Sequence, residues 1–151
     1  MTRKTRNSYD FDNGSVPAHQ HKNPDGSLGG WVANSARVDD ASHVCNASII
    51  FENAIVSGNN IITNSEIRGT SNIGGNNKIT NSVIKGNFFM DGENNISFSG
   101  LSGGEVRGNS TIEGIGKYYS SANDDEFLLE DGVWTEDSKI FYGRAFRYGW
   151  T

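Results

Sequence analysis

Aliphatic residues recur every five or six positions between residues 31 and 116, and this spacing restricts the fold more than any other feature of the chain. From Val32 to Ile62 every step is six residues, and the later steps are five or six. A hexad period is typical of β-helices, in which each short strand sends one aliphatic side chain inward. Grouped in threes, the aliphatic positions form five rows, which are 32/38/44, 50/56/62, 67/73/79, 84/90/96 and 101/106/112.

A shift of the chain by seventeen positions aligns whole segments. Residues 58–60 (Gly-Asn-Asn) fall on residues 75–77, and residues 62–65 (Ile-Thr-Asn-Ser) fall on residues 79–82. The repeated segments are rich in Asn, Gly, Ser and Thr, which disfavour helix interiors. The repeat therefore predicts stacked coils of about seventeen residues rather than helices.

A small residue stands two positions before almost every aliphatic residue of the repeat. Because residues i and i−2 of a strand point to the same side, each strand should send one branched and one small side chain inward. Stacking should then form inward columns in which hydroxyls and amides bond between coils. Phe88 departs from the rule, and Gly104 in the next row would make room for it. The predicted columns are Ser48/Ser65/Ser82/Ser99 and Asn60/Asn77/Asn94.

These patterns predict an all-β fold, a three-sided parallel β-helix of about five coils. Three parts follow along the chain: an N-terminal arm and cap (1–30), the β-helix (31–116) and an acidic, aromatic C-terminal cap or partner-binding segment (117–151). Each coil supplies only three large aliphatic side chains, so hydrogen bonding between coils must share the stabilising role with apolar burial.

The chain resembles a known family at the start of the repeat. Residues 23–32 read NPDGSLGGWV, and residues 35–38 read SARV, which begins a run of hexads with a small residue before each aliphatic. This is similar to the YdcK-like proteins of the hexapeptide-repeat class, which are left-handed parallel β-helices. The resemblance covers about residues 17–116. It implies a left-handed coil, a bacterial or phage source and assembly into homo-oligomers.

Length and composition narrow the function classes. A chain of 151 residues fits one domain. A net charge of −5 disfavours binding to nucleic acid phosphates. Cys45 is the single cysteine, so no disulfide can form within the chain, and no apolar run reaches membrane-spanning length. We expect a cytoplasmic protein, in the host cytoplasm if a phage encodes it, that does not bind membranes.

The N-terminal part combines a polar arm with one turn. Residues 1–22 are predicted to form either a partly ordered arm or a contact with a partner. The His19-x-His21 pair lacks the further ligands that a metal site needs, so we predict no metal and no cofactor. Asn23-Pro24-Asp25-Gly26 predicts a β-turn, because Pro fixes its own φ and Gly accepts a positive φ. Trp31 is expected to cap the open end of the first coil.

Apolar residues at outward positions suggest an interaction surface around the second coil. Strand alternation predicts that most outward residues are polar, but this coil breaks the pattern. The surface is either an interface between subunits, in a dimer or trimer, or is covered by the chain's own ends. Its predicted members are Trp31, Ile49, Phe51, Ile55, Ile61 and Phe89.

The last 35 residues are acidic and hold more than half of the aromatic residues. A hairpin is predicted from strands near 139–142 and 146–150, with Gly143 as the turn. This part either caps the last coil or forms a partner-binding platform, since aromatic side chains with a charged rim are typical of interface centres. The residues predicted for such contacts are Trp134, Phe141, Phe146, Tyr148 and Trp150.

The enzymes that share this fold need more histidines than the repeat contains. Acyltransferases of the hexapeptide class use a His base, and His43 is the one histidine of the repeat, without an evident acidic neighbour in the sequence. Carbonic anhydrases of this architecture need three His ligands. We predict a non-catalytic protein–protein interaction module, in one version a phage inhibitor of a host defence protein. A small acyltransferase and a self-assembling scaffold are the alternatives.

Overall fold

The computed structural model describes residues 8–12, 14–115, 127–135 and 142–147. These residues form seventeen strands joined by short turns, and no helix occurs among them. The strands are β1 Ser8–Asp10, β2 Ser15–Lys22, β3 Leu28–Ala33, β4 Arg37–Val38, β5 His43–Val44, β6 Ile49–Ile50, β7 Ile55–Val56, β8 Ile61–Thr63, β9 Glu66–Ile67, β10 Asn72–Ile73, β11 Lys78–Thr80, β12 Val83–Gly92, β13 Asn95–Ser97, β14 Gly100–Gly108, β15 Thr111–Glu113, β16 Phe127–Thr135 and β17 Tyr142–Arg147.

Parallel pairing arranges the strands as three stacked faces, which confirms the three-sided parallel β-helix of about five coils. Face 1 contains β3, β6, β9 and the first parts of β12 and β14. Face 2 contains β4, β7, β10, the later parts of β12 and β14, and the first part of β16. Face 3 contains β5, β8, β11, β13, β15 and the end of β16.

The pairing register matches the aliphatic rows predicted from the sequence. On face 3, Val44 pairs with Ile62 and Ile62 with Ile79. Ile79 pairs in turn with Ile96, and Ile96 with Ile112, so one aliphatic column runs the length of the face. All five side chains have 0% exposure and form a single core with the aliphatic residues of the other two faces.

The two predicted polar columns are present inside the coil. The hydroxyl of Ser65 accepts a hydrogen bond from the backbone N–H of Ser82, and Ser82 accepts from Ser99, both at 3.1 Å. In the second column, Asn77 donates to Asn60 Oδ1 through both its backbone N–H (3.0 Å) and its Nδ2 (2.9 Å). These bonds pair polar groups that are buried between coils. Burying the same groups without partners would cost more free energy than a thin apolar core could offset.

The exception at Phe88 is accommodated as predicted. Phe88 is 1% exposed and pairs with Gly104 in the next coil. Gly104 has no side chain and a φ of 104°, and the register of β12 against β14 shifts just before this pair. The aromatic ring thus fills the corner that small residues occupy in the other coils.

The hairpin of β2 and β3 closes the N-terminal end of the coil. The prediction that Trp31 forms this cap is wrong. In β3, Val32 points inward with 0% exposure, so the neighbouring Trp31 points outward. The cap is polar: Asn23 Oδ1 accepts the backbone N–H of Val44, and His21 Nε2 donates to the carbonyl of Ser42, both at 2.8 Å. These side chains pair backbone groups of the first coil that would otherwise be exposed at an open end.

The predicted turn at residues 23–26 forms the loop of this hairpin. The backbone N–H of Gly26 donates to the carbonyl of Asn23 at 2.8 Å, and Gly26 has a φ of 91°. Asp25 Oδ1 accepts bonds from both the backbone N–H (3.0 Å) and the hydroxyl (2.6 Å) of Ser27. These two bonds, led by the hydroxyl, lower the pKa of Asp25 below its usual range.

The C-terminal strands continue the stack and then close it. β16 pairs in parallel with β14 and β15, so Leu129 extends the core column of face 2 and is 0% exposed. β17 then pairs antiparallel with β16. The predicted turn at Gly143 is wrong, because Gly143 lies within β17 and that strand pairs with β16. The aliphatic run in β16 is too short for the sequence periodicity to have indicated a strand there.

Candidate partner-binding surfaces

The N-terminal arm covers part of the predicted apolar surface. The ring of Phe11 stacks on that of Phe51 with centroids 4.7 Å apart and an interplanar angle of 13°. Tyr9 stacks on Trp31 at 5.2 Å and contacts Phe11 at 4.7 Å. As a result Phe51 is only 4% exposed. The arm therefore removes Phe51 from the exposed surface on which strand alternation placed it.

Ile49 and Trp31 are half-buried against the same aromatic cluster. Arg68 in the next coil lies over the ring of Phe51, with its guanidinium 5.8 Å from the ring centroid. The arm binds here because β1 pairs antiparallel with β2, so that the chain folds back over coil two. The sequence left two alternatives for this surface, a subunit interface or coverage by the chain's own ends. The N-terminal arm covers the part that contains Trp31, Ile49 and Phe51.

Ile55 and Ile61 are exposed, at 39% and 44%. Ile55 lies on face 2 and Ile61 on face 3, so they flank one corner of coil two, which we call the isoleucine corner (residues 55–61). The backbone of this corner is fixed by side chains: Gly58 N–H donates to Asp39 Oδ2 at 2.9 Å, and Ser42 Oγ donates to the Gly58 carbonyl at 2.7 Å. The backbone that carries the two isoleucines is therefore held in place by hydrogen bonds from the neighbouring coil.

Phe89 lies on face 2, two coils beyond Ile55, with Asn72 in the coil between them. It is half-buried, and Arg107 lies over its ring at 5.6 Å from the centroid. Arg107 also pairs with Glu105 at 3.0 Å. Phe89 therefore has polar neighbours and is not part of the isoleucine corner.

The C-terminal residues predicted for partner contacts are only partly described. Trp134 lies in β16 opposite Ile112, and Phe146 lies in β17 opposite Leu128. Phe141, Tyr148 and Trp150 lie outside the described residues.

His43 and the two arm histidines have different surroundings. His43 is half-buried on face 3 beside Ile61, and its nearness makes a small contribution to the lowered pKa of Asp25. His19 Nδ1 bonds with Asn34 Oδ1 at 2.8 Å, whereas buried His21 bonds with the Ser42 carbonyl. Within the described residues, no cluster of three or more His, Cys, Asp or Glu side chains could hold a metal ion.

A groove follows the corner between faces 3 and 1, where the sequence predicted no site. It has a volume of about 780 Å³, and we call it the corner groove. Tyr9 lies at its N-terminal end, Asn64, Glu66 and Asn81 line its middle, and Phe98 lies toward its C-terminal end. The sequence contained an indication of this groove. When the chain is shifted by seventeen residues, Phe98 aligns with Asn81 and Asn64, so an aromatic residue replaces Asn at one corner.

Within the described parts of the chain, no helix has the length and apolar character needed to cross a membrane. No protein-family model matches the chain, and neither a curated protein nor a solved structure matches it. Membership of the hexapeptide-repeat class and the left hand of the coil therefore stay predictions, and the β-solenoid fold rests on the strand pairing.

Proposed function

We propose that this protein is a non-catalytic interaction module that binds other proteins through the isoleucine corner. The observation that carries the proposal is the exposure of Ile55 and Ile61 on a corner whose backbone is fixed by Asp39 and Ser42. Both side chains could have been polar without loss to the core, because the inward positions beside them are Val56 and Ile62.

Rigidity makes this corner suited to binding. Ordering a flexible surface on association costs conformational entropy, and a surface that is already ordered avoids that cost. Asn60 adds a third bond, from its Nδ2 to the carbonyl of Ser57 at 2.7 Å. Exposed branched side chains on such a corner can be buried by a partner with little reorganisation.

The partner that we favour is a second copy of the chain, in a dimer or trimer, as the resemblance to hexapeptide-repeat proteins implies. A symmetric assembly repeats one patch on each subunit, so a small apolar patch contributes at every interface. In the bacterial or phage setting that the same resemblance implies, the assembly acts in the cytoplasm, and inhibition of a host defence protein is one concrete role.

Light scattering tests this proposal. The variant Ile55→Asp places a charge at the centre of the interface and should reduce the mass to that of a monomer. Asn87→Asp is the matched control, since it adds the same charge at an exposed position two coils away, at the corner between faces 1 and 2. A wild-type monomer at tens of micromolar, or an unchanged Ile55→Asp mass, would contradict self-association through this corner.

A further inference from the structure

Phe98 is unfavourable in two respects at its position. Its φ is 50°, a left-handed conformation that is a clear outlier for a bulky residue, and its side chain is 60% exposed. Asn64 and Asn81 occupy the equivalent corners with the same φ of 50°, and Asn tolerates this conformation well. Strained residues of this kind concentrate at binding and catalytic sites, so a ligand contact explains why an aromatic ring replaces Asn.

The middle of the corner groove offers polar groups in fixed positions. Asn64 Nδ2 donates to Asn81 Oδ1, which orients both amides along the groove. The carboxylate of Glu66 pairs with Arg68 Nε at 3.0 Å, so its charge is largely balanced. Each amide can both donate and accept, and the carboxylate accepts, which provides a site for a ligand with several hydroxyl groups.

The groove is elongated. Ala47, Asn64, Asn81 and Phe98 follow one another along it from coil to coil, and three coil steps of about 4.8 Å give a length of about 14 Å. The exposed ring of Phe98 can contact the apolar C–H face of a ring at one end of this length, and Tyr9, partly covered by Trp31 and Phe11, lies toward the other end. The volume of about 780 Å³ lies within the range of small-ligand sites.

We propose that the corner groove binds a neutral oligosaccharide. Sugars combine apolar C–H faces, which aromatic rings contact, with hydroxyl groups, which amides and carboxylates bind. None of the described residues that line the groove carries a positive charge, so an anionic glycan or a nucleic acid would lack a counter-charge there.

A peptide fits the groove less well. Peptides that bind β-structures commonly add a strand to a free sheet edge. The strands beside this groove have no free edge, because β9 is paired with β6 and β12, and β11 is paired with β8 and β13. A ligand here cannot add a strand to the sheet and must bind chiefly through side chains, which suits a carbohydrate.

The test is a titration of the full chain with cellotriose, maltotriose and chitotriose, followed by backbone amide NMR shifts. At least one trisaccharide should shift amides at residues 64–66, 81–83 and 97–99, with saturation. Phe98→Asn installs the residue of the preceding coils and should weaken this binding at least tenfold with the fold intact. Leu28→Asn, which changes an equally exposed residue at 60%, should leave binding unchanged.

Two outcomes would overturn the proposal. One is no shift in the groove with any of the three sugars, including the case in which only a peptide or an acidic glycan binds there. The other is sugar binding that survives Phe98→Asn. The proposal does not depend on the isoleucine corner, so Ile55→Asp should retain sugar binding whatever its effect on mass.

Discussion

Asn77 accepts two hydrogen bonds from Asn94 in the next coil, one from the backbone N–H at 2.8 Å and one from Nδ2 at 2.9 Å. Its own Nδ2 donates to Asn60 Oδ1 and to the carbonyl of Gly74. One buried side chain therefore links three successive coils and fixes their spacing and register. In a fold with few large apolar residues per coil, such bonds carry a large share of the structural specificity.

Asn77→Ala should lower the free energy of unfolding by about 3 kcal/mol, because it leaves several buried donors and acceptors unpaired. Asn77→Ser should cost less, since Ser42 in the same column already accepts the backbone N–H of Asn60 through its hydroxyl. Urea unfolding measures both changes. The exposed neighbour variant Asn76→Ala is the control, and an equal loss there would contradict the role of the column.

Two adjacent glycines should differ strongly in how much stability the same substitution costs. Gly75 has a φ of 95°, and a Cβ there would lie 2.3 Å from the carbonyl oxygen of Gly92, so Gly75→Ala should destabilise the fold by about 2 kcal/mol or more. At Gly74 the nearest atom would be 3.5 Å away, so Gly74→Ala should change stability by less than about 0.5 kcal/mol. Thermal unfolding of the pair measures the difference, and similar midpoints would show that coils are less closely stacked than described.

Phe98→Asn should raise stability by about 1 kcal/mol, because Asn relieves the cost of the left-handed conformation and of an exposed ring. Phe98→Leu keeps a bulky apolar side chain in the same conformation and should give no such gain. Calorimetry distinguishes the two variants. A loss of stability in Phe98→Asn would mean that Phe98 serves the fold rather than a ligand.

Phe11→Ala should release the N-terminal arm from coil two. The substitution removes the ring that stacks on Phe51, and truncation of a buried Phe costs about 3 kcal/mol when the site cannot collapse. Hydrogen exchange should accelerate at Tyr9 and Val16, which pair between β1 and β2, while the Asn column stays protected. Leu28→Ala, at an exposed residue outside the β1–β2 pairing, should leave that exchange unaltered.

Ser27→Ala should raise the pKa of Asp25 toward its usual range, because the Ser27 hydroxyl is the largest cause of its lowering. A carboxyl whose pKa is lowered in the folded state stabilises the fold above its unfolded pKa, and this contribution is lost as pH falls through the folded pKa. NMR titration of side-chain carboxyl carbons measures the shift. His43→Ala should move the same pKa less, since the charge of His43 is a smaller cause.

The sequence predicted some features of the two candidate surfaces and not others, and the physical reason differs from residue to residue. The outward direction of Ile55 and Ile61 follows from strand alternation and is confirmed by their exposure. The burial of Phe51 depends on where the arm folds, which no local pattern encodes. Phe98 interrupts a column of Asn in the sequence, but its exposure and its groove depend on how neighbouring coils and the N-terminal arm pack.

The sequence by itself determined the coil: the aliphatic rows, the Ser and Asn columns and the room for Phe88 all follow from a period that repeats residue by residue. The tertiary structure alone decided what lies on the outside and at the ends. The arm covers Phe51, a polar hairpin replaces Trp31 as the cap, and β16 joins the stack across an interval of chain. In a repeat, residues that contact each other in neighbouring coils are always about the same number of positions apart in the sequence, so the pattern predicts these contacts. The chain ends could pack on any of several similar surfaces, and only the tertiary structure shows which one they cover.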